Sequence, residues 1–158
     1  FPALFHGGGQ ERGRRAGTSF VAGIVAAGVA AVHAQDGLAR RRERWLMLRE
    51  QLELGLVALG AEVVGAGEAR IPNTTLATFA GLNGPTLVTA LDIQGVCVSA
   101  GAACSSGSVK ESAVLTAMGH EKAASAVRVS MGRDTSQADI VDALRVFERV
   151  ISTARRKR

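Results

Sequence analysis

The spacing of apolar residues predicts two long helices in the first part of the chain. The first is predicted to start at a cap formed by Thr18 or Ser19 and to run to about Ala34, and it is apolar on nearly every face. The second covers about residues 38–59 and carries one apolar stripe. The stripe consists of Leu38, Trp45, Leu48, Leu52, Leu56 and Leu59. We therefore expect the first helix to be buried on all sides and the second to cover a core with one face.

Short apolar runs in the middle of the chain predict strands. They occupy residues 61–64 and 73–79, and Pro72, which cannot donate within a ladder, fits the beginning of the second run. A short helix is predicted from Pro85 to Leu91, because proline suits the first helical turn. Residues 97–99 are predicted to form a brief strand.

Residues 126–131 alternate strictly between apolar and other side chains, which is typical of a strand with one buried face. Val127, Val129 and Met131 are expected to face a core. Arg128, between them, is expected to point away from it.

Two further helices complete the predicted elements. One covers about residues 112–118, and the last opens at Thr135 or Ser136, where Ser136 and Asp139 have capping-box spacing. Helices that alternate with short strands, in a chain rich in Ala, Val, Leu and Gly, predict an α/β or α+β fold.

Composition narrows the class of protein. A chain of 158 residues with 47% hydrophobic content can bury a core. Two cysteines are too few for a disulfide framework, and no secretory signal opens the sequence, so a reducing cytoplasm is the default expectation. The longest apolar stretch, residues 20–32, is too short to cross a bilayer, and we expect no membrane span.

The formal charge of +5 comes largely from arginine clusters at residues 12–15, 40–44 and 155–158. Such clusters could contact nucleic acid or an acidic partner. No interleaved aromatic residues or known nucleic-acid motif accompany them, so nucleic-acid binding is not expected.

Cys104 stands in a run of glycine, alanine and serine that covers residues 99–108. Small residues give its sulfur little to pack against, so the thiol is expected to be presented for reaction, although an exposed cysteine without a task fits the same pattern. Cys97 lies in an apolar context and is expected to be a small core residue. Neither a zinc site nor a disulfide between the two cysteines is expected.

Two polar positions suit anion binding. The glycine loop at residues 7–9, followed by Thr18 before a helix, resembles a phosphate site, although a plain turn followed by an N-cap explains it equally well. Arg128 has the planar guanidinium that can hold a carboxylate with two hydrogen bonds, but a solvated arginine is the alternative. Arg15 is a weaker candidate beside Thr18, and Asn73 is a weaker candidate beside Arg128.

Six segments, in this order, resemble the C-terminal part of the cysteine desulfurases of the NifS and IscS group, which are pyridoxal-phosphate enzymes of the class V aminotransferase family. The segments are residues 7–18, 71–74, 91–96, 99–108, 117–119 and 127–133. The resemblance implies the C-terminal portion of a fold-type I transferase. Residues 1–35 would end the large cofactor domain, and residues 36–158 would form the small domain, with a mostly antiparallel sheet covered by helices.

The resemblance also implies a role for each candidate. Cys104 would attack the substrate sulfur and become a persulfide, Arg128 would hold the substrate carboxylate, and Thr18 would reach the cofactor phosphate of the other subunit of a homodimer. The whole enzyme would convert L-cysteine to L-alanine and pass the sulfur to an iron–sulfur scaffold or another acceptor, which the sequence does not identify. No metal is implied.

The chain departs from the family pattern in two places. Ser19 and Phe20 stand where the family usually has glutamate and asparagine. The lysines, Lys110, Lys122 and Lys157, do not lie in the Ser-His-Lys context of the Schiff-base lysine, and the chain starts at Phe1. We therefore expect a fragment that is inactive alone. The alternatives are a related pyridoxal-phosphate aminotransferase or lyase that does not use the cysteine, and a non-catalytic dimerisation or interaction module.

Overall fold

The computed structural model describes residues 2–100 and 112–156. The chain divides into two compact units, Phe1–Leu38 and Ala39–Arg158. The division falls close to the boundary predicted after residue 35. The assignment of the first unit to a cofactor domain stays a prediction.

The first unit contains a turn of 3-10 helix at Gln10–Gly13 and helix α1 at Val21–Gln35. The predicted cap is wrong: Phe20 occupies the N-cap position without a side-chain cap bond, so neither Thr18 nor Ser19 caps the helix. Instead, the N–H of Val21 donates to the carbonyl oxygen of Ser19 at 2.9 Å.

The expectation that α1 is buried on all sides is also wrong for this chain. None of its residues is buried, and Phe20 next to it is 74% exposed. A helix that is apolar all round needs cover on every side, and the segment before it is short and rich in glycine. The apolar surface of α1 therefore stands open.

The second unit begins with helix α2 (Leu38–Ala58, whose first residue belongs to the first unit), followed by strands β1 (Ala61–Val63) and β2 (Thr74–Phe79). Helices α3 (Gly84–Ile93) and α4 (Ala113–Ala117), a turn of 3-10 helix at Ala123–Ser125, strand β3 (Ala126–Ser130) and helix α5 (Gln137–Arg156) complete the order. The predicted long helices and central strands are confirmed, with small shifts at their ends.

The three strands form one antiparallel sheet in the order β1-β2-β3. Its register pairs Ala61 with Phe79 and Leu76 with Arg128. The structure thus confirms a mixed α/β fold with a small antiparallel sheet and helices.

The main core lies on one face of this sheet, where alternate residues of β2 and β3 meet helices α2, α3 and α5. The rings of Phe79 and Phe147 stack there at 6.3 Å between centroids. The predicted core positions of β3 and the buried part of the α2 stripe are confirmed. The buried side chains of this core are Leu48, Leu52, Leu56, Ala77, Phe79, Leu87, Leu91, Val127, Val129, Met131, Ile140, Val146, Phe147 and Ile151.

A smaller cluster covers part of the opposite face. Leu115 of α4, which is fully buried, packs there with Ala123 and Ala126 and with the partly buried Val64 and Leu76. The rest of that face is left to polar residues.

Two predictions around residue 97 are wrong. The expected strand at residues 97–99 is a single bridge at Ser99, and Cys97 is exposed rather than a core residue. Val96 and Val98 pack against the main core, so the residue between them faces outward.

No single helix in residues 2–100 and 112–156 has both the length and the apolar character needed to cross a membrane. Helices α1 and α2 would meet that test of length and composition only if taken together as a bent pair.

Candidate functional site

Arg128 is an exposed functional candidate on the sheet of the second unit. Strand β3 turns Val127 and Val129 into the core, and the alternation leaves the Arg128 side chain on the opposite, open face. Among the described residues, its guanidinium forms no ion pair. A guanidinium has five N–H donors, and that of Arg128 has no carboxylate partner among the described residues. It can therefore bind a ligand carboxylate by donating hydrogen bonds to it.

Two polar side chains, those of Thr74 and Ser130, lie on the same face as Arg128, whose own partner in the register of β2 is Leu76. Thr74 of β2 stands opposite Ser130 of β3, and the Thr74 hydroxyl lies 3.4 Å from the Ser130 hydroxyl. Neither group carries charge. Among the described residues, this end of the sheet therefore combines the Arg128 guanidinium, which forms no ion pair, with uncharged hydrogen-bonding groups.

Ser99 pairs with Arg128 on the side of β3 away from β2. The N–H of Arg128 donates to the Ser99 carbonyl at 2.6 Å, and the Ser99 N–H donates to the Arg128 carbonyl at 3.0 Å. The main chain of Arg128 is consequently held between β2 and Ser99. The sequence indicated a strand here but gave no sign of its partner.

Cys104 lies outside the described residues, which stop at Ala100 and resume at Ser112. Ser99, just before this gap, is the residue bridged to Arg128. Ser112, just after it, caps α4, because its hydroxyl accepts a hydrogen bond from the Leu115 N–H at 3.4 Å. The role predicted for Cys104 remains a prediction.

Asn73 has a structural task at the end of the sheet. Its side-chain amide donates to the Met131 carbonyl at 3.1 Å, and the Met131 N–H donates to the Asn73 carbonyl at 2.8 Å. This pair continues the ladder between β2 and β3 by one step. Asn73 therefore fixes the strand ends that lie beside Thr74 and Ser130.

Helix α2 fixes the segment that follows β3. The indole N–H of Trp45 donates to the Gly132 carbonyl at 2.9 Å. The Arg44 guanidinium donates to the carbonyls of Arg133 at 2.8 Å and Thr135 at 2.5 Å. These bonds satisfy main-chain acceptors that precede α5 and hold the exit of β3 in place.

In the first unit, Thr18 is exposed and precedes α1 by three residues. Its hydroxyl has no hydrogen bond to any described residue, so it is available to a ligand. Arg15, which the sequence offered as a second anion contact, turns back on the chain instead and donates to the Gly17 carbonyl at 2.8 Å. Thr18 belongs to the first unit and Arg128 to the second.

Two ionic clusters in the second unit are structural. Burial raises the pKa of Glu53, but hydrogen bonds from Arg70 and Thr75 and the charges of Arg70 and Arg49 outweigh burial, and the net pKa is lowered. A hydrogen bond from Lys122, at 2.6 Å, is the main cause of the lowered pKa of Glu62. The Lys122 ammonium is thus already occupied.

No group of three or more His, Cys, Asp or Glu side chains among the described residues is arranged to hold a metal ion. The Cys97 thiol lies 3.9 Å from the Asp92 carboxylate and has no histidine beside it. The described part of the chain therefore offers an exposed arginine without an ion pair, an exposed threonine and no metal centre.

Comparison with protein families assigns the chain to one of them. The family model described as aminotransferase class-V matches residues 5–144. The chain belongs to this family. Within the class V family, it is 39% identical over 158 residues to the protein named cysteine desulfurase IscS from Clostridium botulinum (strain Hall), with 96% of this chain covered. It is 40% identical over 162 residues to a cysteine desulfurase from Sinorhizobium fredii, with the whole chain covered.

Solved structures agree with this family assignment. A NifS-like protein superposes with a TM-score of 0.82 at 34% identity over 96% of this chain. A NifS-like protein from Rickettsia africae gives a TM-score of 0.81 at 30% identity, also over 96% of the chain. These matches confirm the resemblance seen in the motifs and the fold expected from it.

The chain spans about two fifths of the length of the curated relatives it matches, 40% for the Clostridium botulinum protein and 42% for the Sinorhizobium fredii protein. The same holds for the NifS-like structures, of which it covers 39% and 40%. The relatives are therefore much longer than this chain. Any reaction of a whole enzyme is a proposal that rests on the residues of this chain.

Proposed function

We propose that the chain is the C-terminal portion of a pyridoxal-phosphate-dependent cysteine desulfurase. The observation that carries the proposal is Arg128, an exposed guanidinium that no described carboxylate neutralises, on a strand bridged to Ser99. Ser99 opens the segment that contains Cys104. The names of the homologues, which align over nearly the whole chain, support the same reaction.

The residues of this chain fit part of the cofactor site. Thr18 offers an exposed hydroxyl without a described partner, which is a suitable donor for a phosphate. Lys122, the only lysine among the described residues, is engaged with Glu62 and does not fit the covalent attachment of a cofactor. We propose that residues outside this sequence supply that lysine and that the chain alone is inactive.

When bound, pyridoxal phosphate supplies the electron sink that weakens the bond between the β-carbon and sulfur of L-cysteine. Arg128 would bind the substrate carboxylate through two parallel hydrogen bonds and so orient the amino acid. Thr18 would donate a hydrogen bond to the phosphate. These two contacts bind and orient without moving a proton.

Cys104 would receive the sulfur as a nucleophile. In the net reaction, the carbon–sulfur bond of L-cysteine breaks, a sulfur–sulfur bond forms on Cys104, and the substrate carbon gains hydrogen to give L-alanine. The thiol protons balance this exchange, so no external oxidant or reductant is needed. The persulfide would then pass to an iron–sulfur scaffold or another sulfur acceptor.

The domain assignment is part of the proposal. Residues 1–35 would belong to the large cofactor domain, and the open apolar surface of α1 supports this, because such a helix needs cover that the first unit does not provide. A homodimer, in which Thr18 serves the phosphate of the other subunit, and a cytoplasmic location are also proposed.

The test uses the intact protein that carries this sequence. A Cys104→Ser variant should lose production of sulfide and alanine from L-cysteine and keep the visible absorbance of the bound cofactor. Cys97→Ser is the matched control and should keep both. Unchanged activity in Cys104→Ser would favour an aminotransferase or lyase that does not use the cysteine. An intact protein that binds no cofactor would favour a non-catalytic interaction module.

A further inference from the structure

Arg15 forms a short clamp within the first unit. Its guanidinium nitrogen Nη1 lies 2.8 Å from the carbonyl oxygen of Gly17 and 3.5 Å from that of Thr18. None of the ion pairs among the described residues includes Arg15. The Arg15 side chain therefore hydrogen-bonds to the main chain two and three residues further on.

The shorter bond controls the direction of the next N–H group. A peptide group is planar and trans, so its carbonyl and its N–H point in opposite directions. The carbonyl of Gly17 and the N–H of Thr18 belong to one such plane. When Arg15 holds the Gly17 carbonyl, it also aims the Thr18 N–H to the side away from the guanidinium.

The backbone conformation at Gly17 leaves the peptide plane that follows it free to vary unless another contact holds it. Gly17 has a φ of +97°, a region open to glycine and rarely adopted by other residues. Glycine has the widest choice of backbone conformations, so the plane that follows it is poorly fixed by local sterics. A charged hydrogen bond of 2.8 Å restricts that freedom.

We infer that Arg15 is a positioning residue, which orients the Gly17–Thr18 peptide so that Thr18 presents its N–H and hydroxyl to the phosphate of the cofactor. This inference rests on the proposed function, in which Thr18 contacts that phosphate. It assigns Arg15 no direct contact with the phosphate. The guanidinium acts through the main chain of the residue that it holds.

The experiment measures binding of two probes to the apo form of the intact protein by visible absorbance. One probe is pyridoxal phosphate, and the other is pyridoxal, which lacks the phosphate. Arg15→Met removes the donor and should weaken pyridoxal phosphate binding about tenfold, the effect of one charged hydrogen bond. Pyridoxal binding should change less than about twofold.

Three further variants define the mechanism. Arg15→Gln, whose neutral amide can still donate to the Gly17 carbonyl, should recover part of the lost affinity. Arg14→Met removes an exposed charge from the same loop and should leave both affinities unchanged. Thr18→Val should weaken pyridoxal phosphate binding, and in that background Arg15→Met should have a smaller effect than in the wild type.

The other outcomes each overturn the inference. Equal weakening of both probes by Arg15→Met would show a merely structural role. If the losses of pyridoxal phosphate affinity caused by Arg15→Met and by Thr18→Val multiply in the double variant, the two residues act independently. If Thr18→Val weakens binding and Arg15→Met does not, the inference alone fails. If Thr18→Val has no effect, the phosphate contact in the proposed function fails, and the inference fails with it.

Discussion

Ser99 and Arg128 bond to each other through both of their peptide groups, at 2.6 and 3.0 Å. On its other side, Arg128 is registered with Leu76 of β2. All of these contacts are made by the main chain. A substitution of the Arg128 side chain therefore leaves the placement of the strand intact.

This arrangement predicts a specific defect for Arg128→Lys in the intact protein. Lysine keeps the charge but loses the planar pair of donors, so kcat/KM for L-cysteine should fall by about 10- to 100-fold, equivalent to about 1.5–3 kcal/mol. The midpoint of urea unfolding should stay unchanged. Steady-state kinetics and a urea titration check both parts.

Arg149→Lys on α5 is the matched control for Arg128→Lys, because Arg149 is exposed and forms no ion pair with the described residues. Its kinetics should match those of the wild type. Equal losses in the two variants would show that Arg128 has no special role in substrate binding.

Gly84 and Gly28 should respond to alanine in opposite directions. A Cβ atom at Gly84 would lie 2.5 Å from the Ala126 carbonyl oxygen, whereas one at Gly28 would meet nothing within 4 Å. Gly84→Ala should destabilise the chain by about 1–3 kcal/mol through this clash. Gly28→Ala should stabilise α1 by up to about 1 kcal/mol, because alanine is the better helix former.

Urea unfolding of the 158-residue chain checks the glycine pair. A stabilising Gly84→Ala would contradict the close approach of α3 to β3. A destabilising Gly28→Ala would contradict the open surface around α1.

Glu53 makes the free energy of unfolding of the chain depend on pH. Its pKa is lowered in the folded chain, so its contribution is complete above its ordinary pKa of 4.5 and is lost as the pH falls through the lower folded value. Glu53→Gln should destabilise the chain by about 1–3 kcal/mol at neutral pH, because it removes the carboxylate charge and replaces one of the two oxygens that accept from Arg70 with an amide nitrogen. The difference from the wild type should shrink below pH 4.5.

Urea midpoints measured from neutral pH into the acid range test this linkage. Glu50→Gln, which alters an exposed residue of the same helix, should run parallel to the wild type. A Glu53→Gln difference that stays constant with pH would refute the role of the carboxylate charge.

Cys97 should react without unfolding. Its side chain is exposed, so a Cys104→Ser chain should give complete labelling of its single remaining thiol by a disulfide reagent in native buffer. The same reaction in guanidinium chloride gives the amount of label expected for one fully accessible thiol per chain. Labelling that needs the denaturant would restore the core position predicted from the sequence.

The sequence predicted the elements whose signals are local. The capping box is an example: the Ser136 N–H donates to the Asp139 carboxylate at 2.8 Å, and the Asp139 N–H donates to the Ser136 hydroxyl at 3.2 Å. The alternation of β3 likewise placed Arg128 on the open face. Both follow from short-range spacing, which the fold did not override.

The errors came from tertiary context. Apolar neighbours made Cys97 look like a core residue, but Val96 and Val98 take the inward positions and leave the thiol outside. The clamp between Arg15 and Gly17 had no sequence signal beyond a glycine at a short spacing. The pairing of Ser99 with Arg128 required knowledge of which strands lie side by side.

The central claim is that Cys104 receives the sulfur of L-cysteine. Peptide mass spectrometry of the intact protein, incubated with L-cysteine under non-reducing conditions, tests it directly, since the Cys104 and Cys97 peptides report separately. The account predicts the added mass of one sulfur atom on the Cys104 peptide and none on the Cys97 peptide. Alanine formation with no added sulfur on Cys104, or with the sulfur on Cys97 in a Cys104→Ser variant, would contradict it.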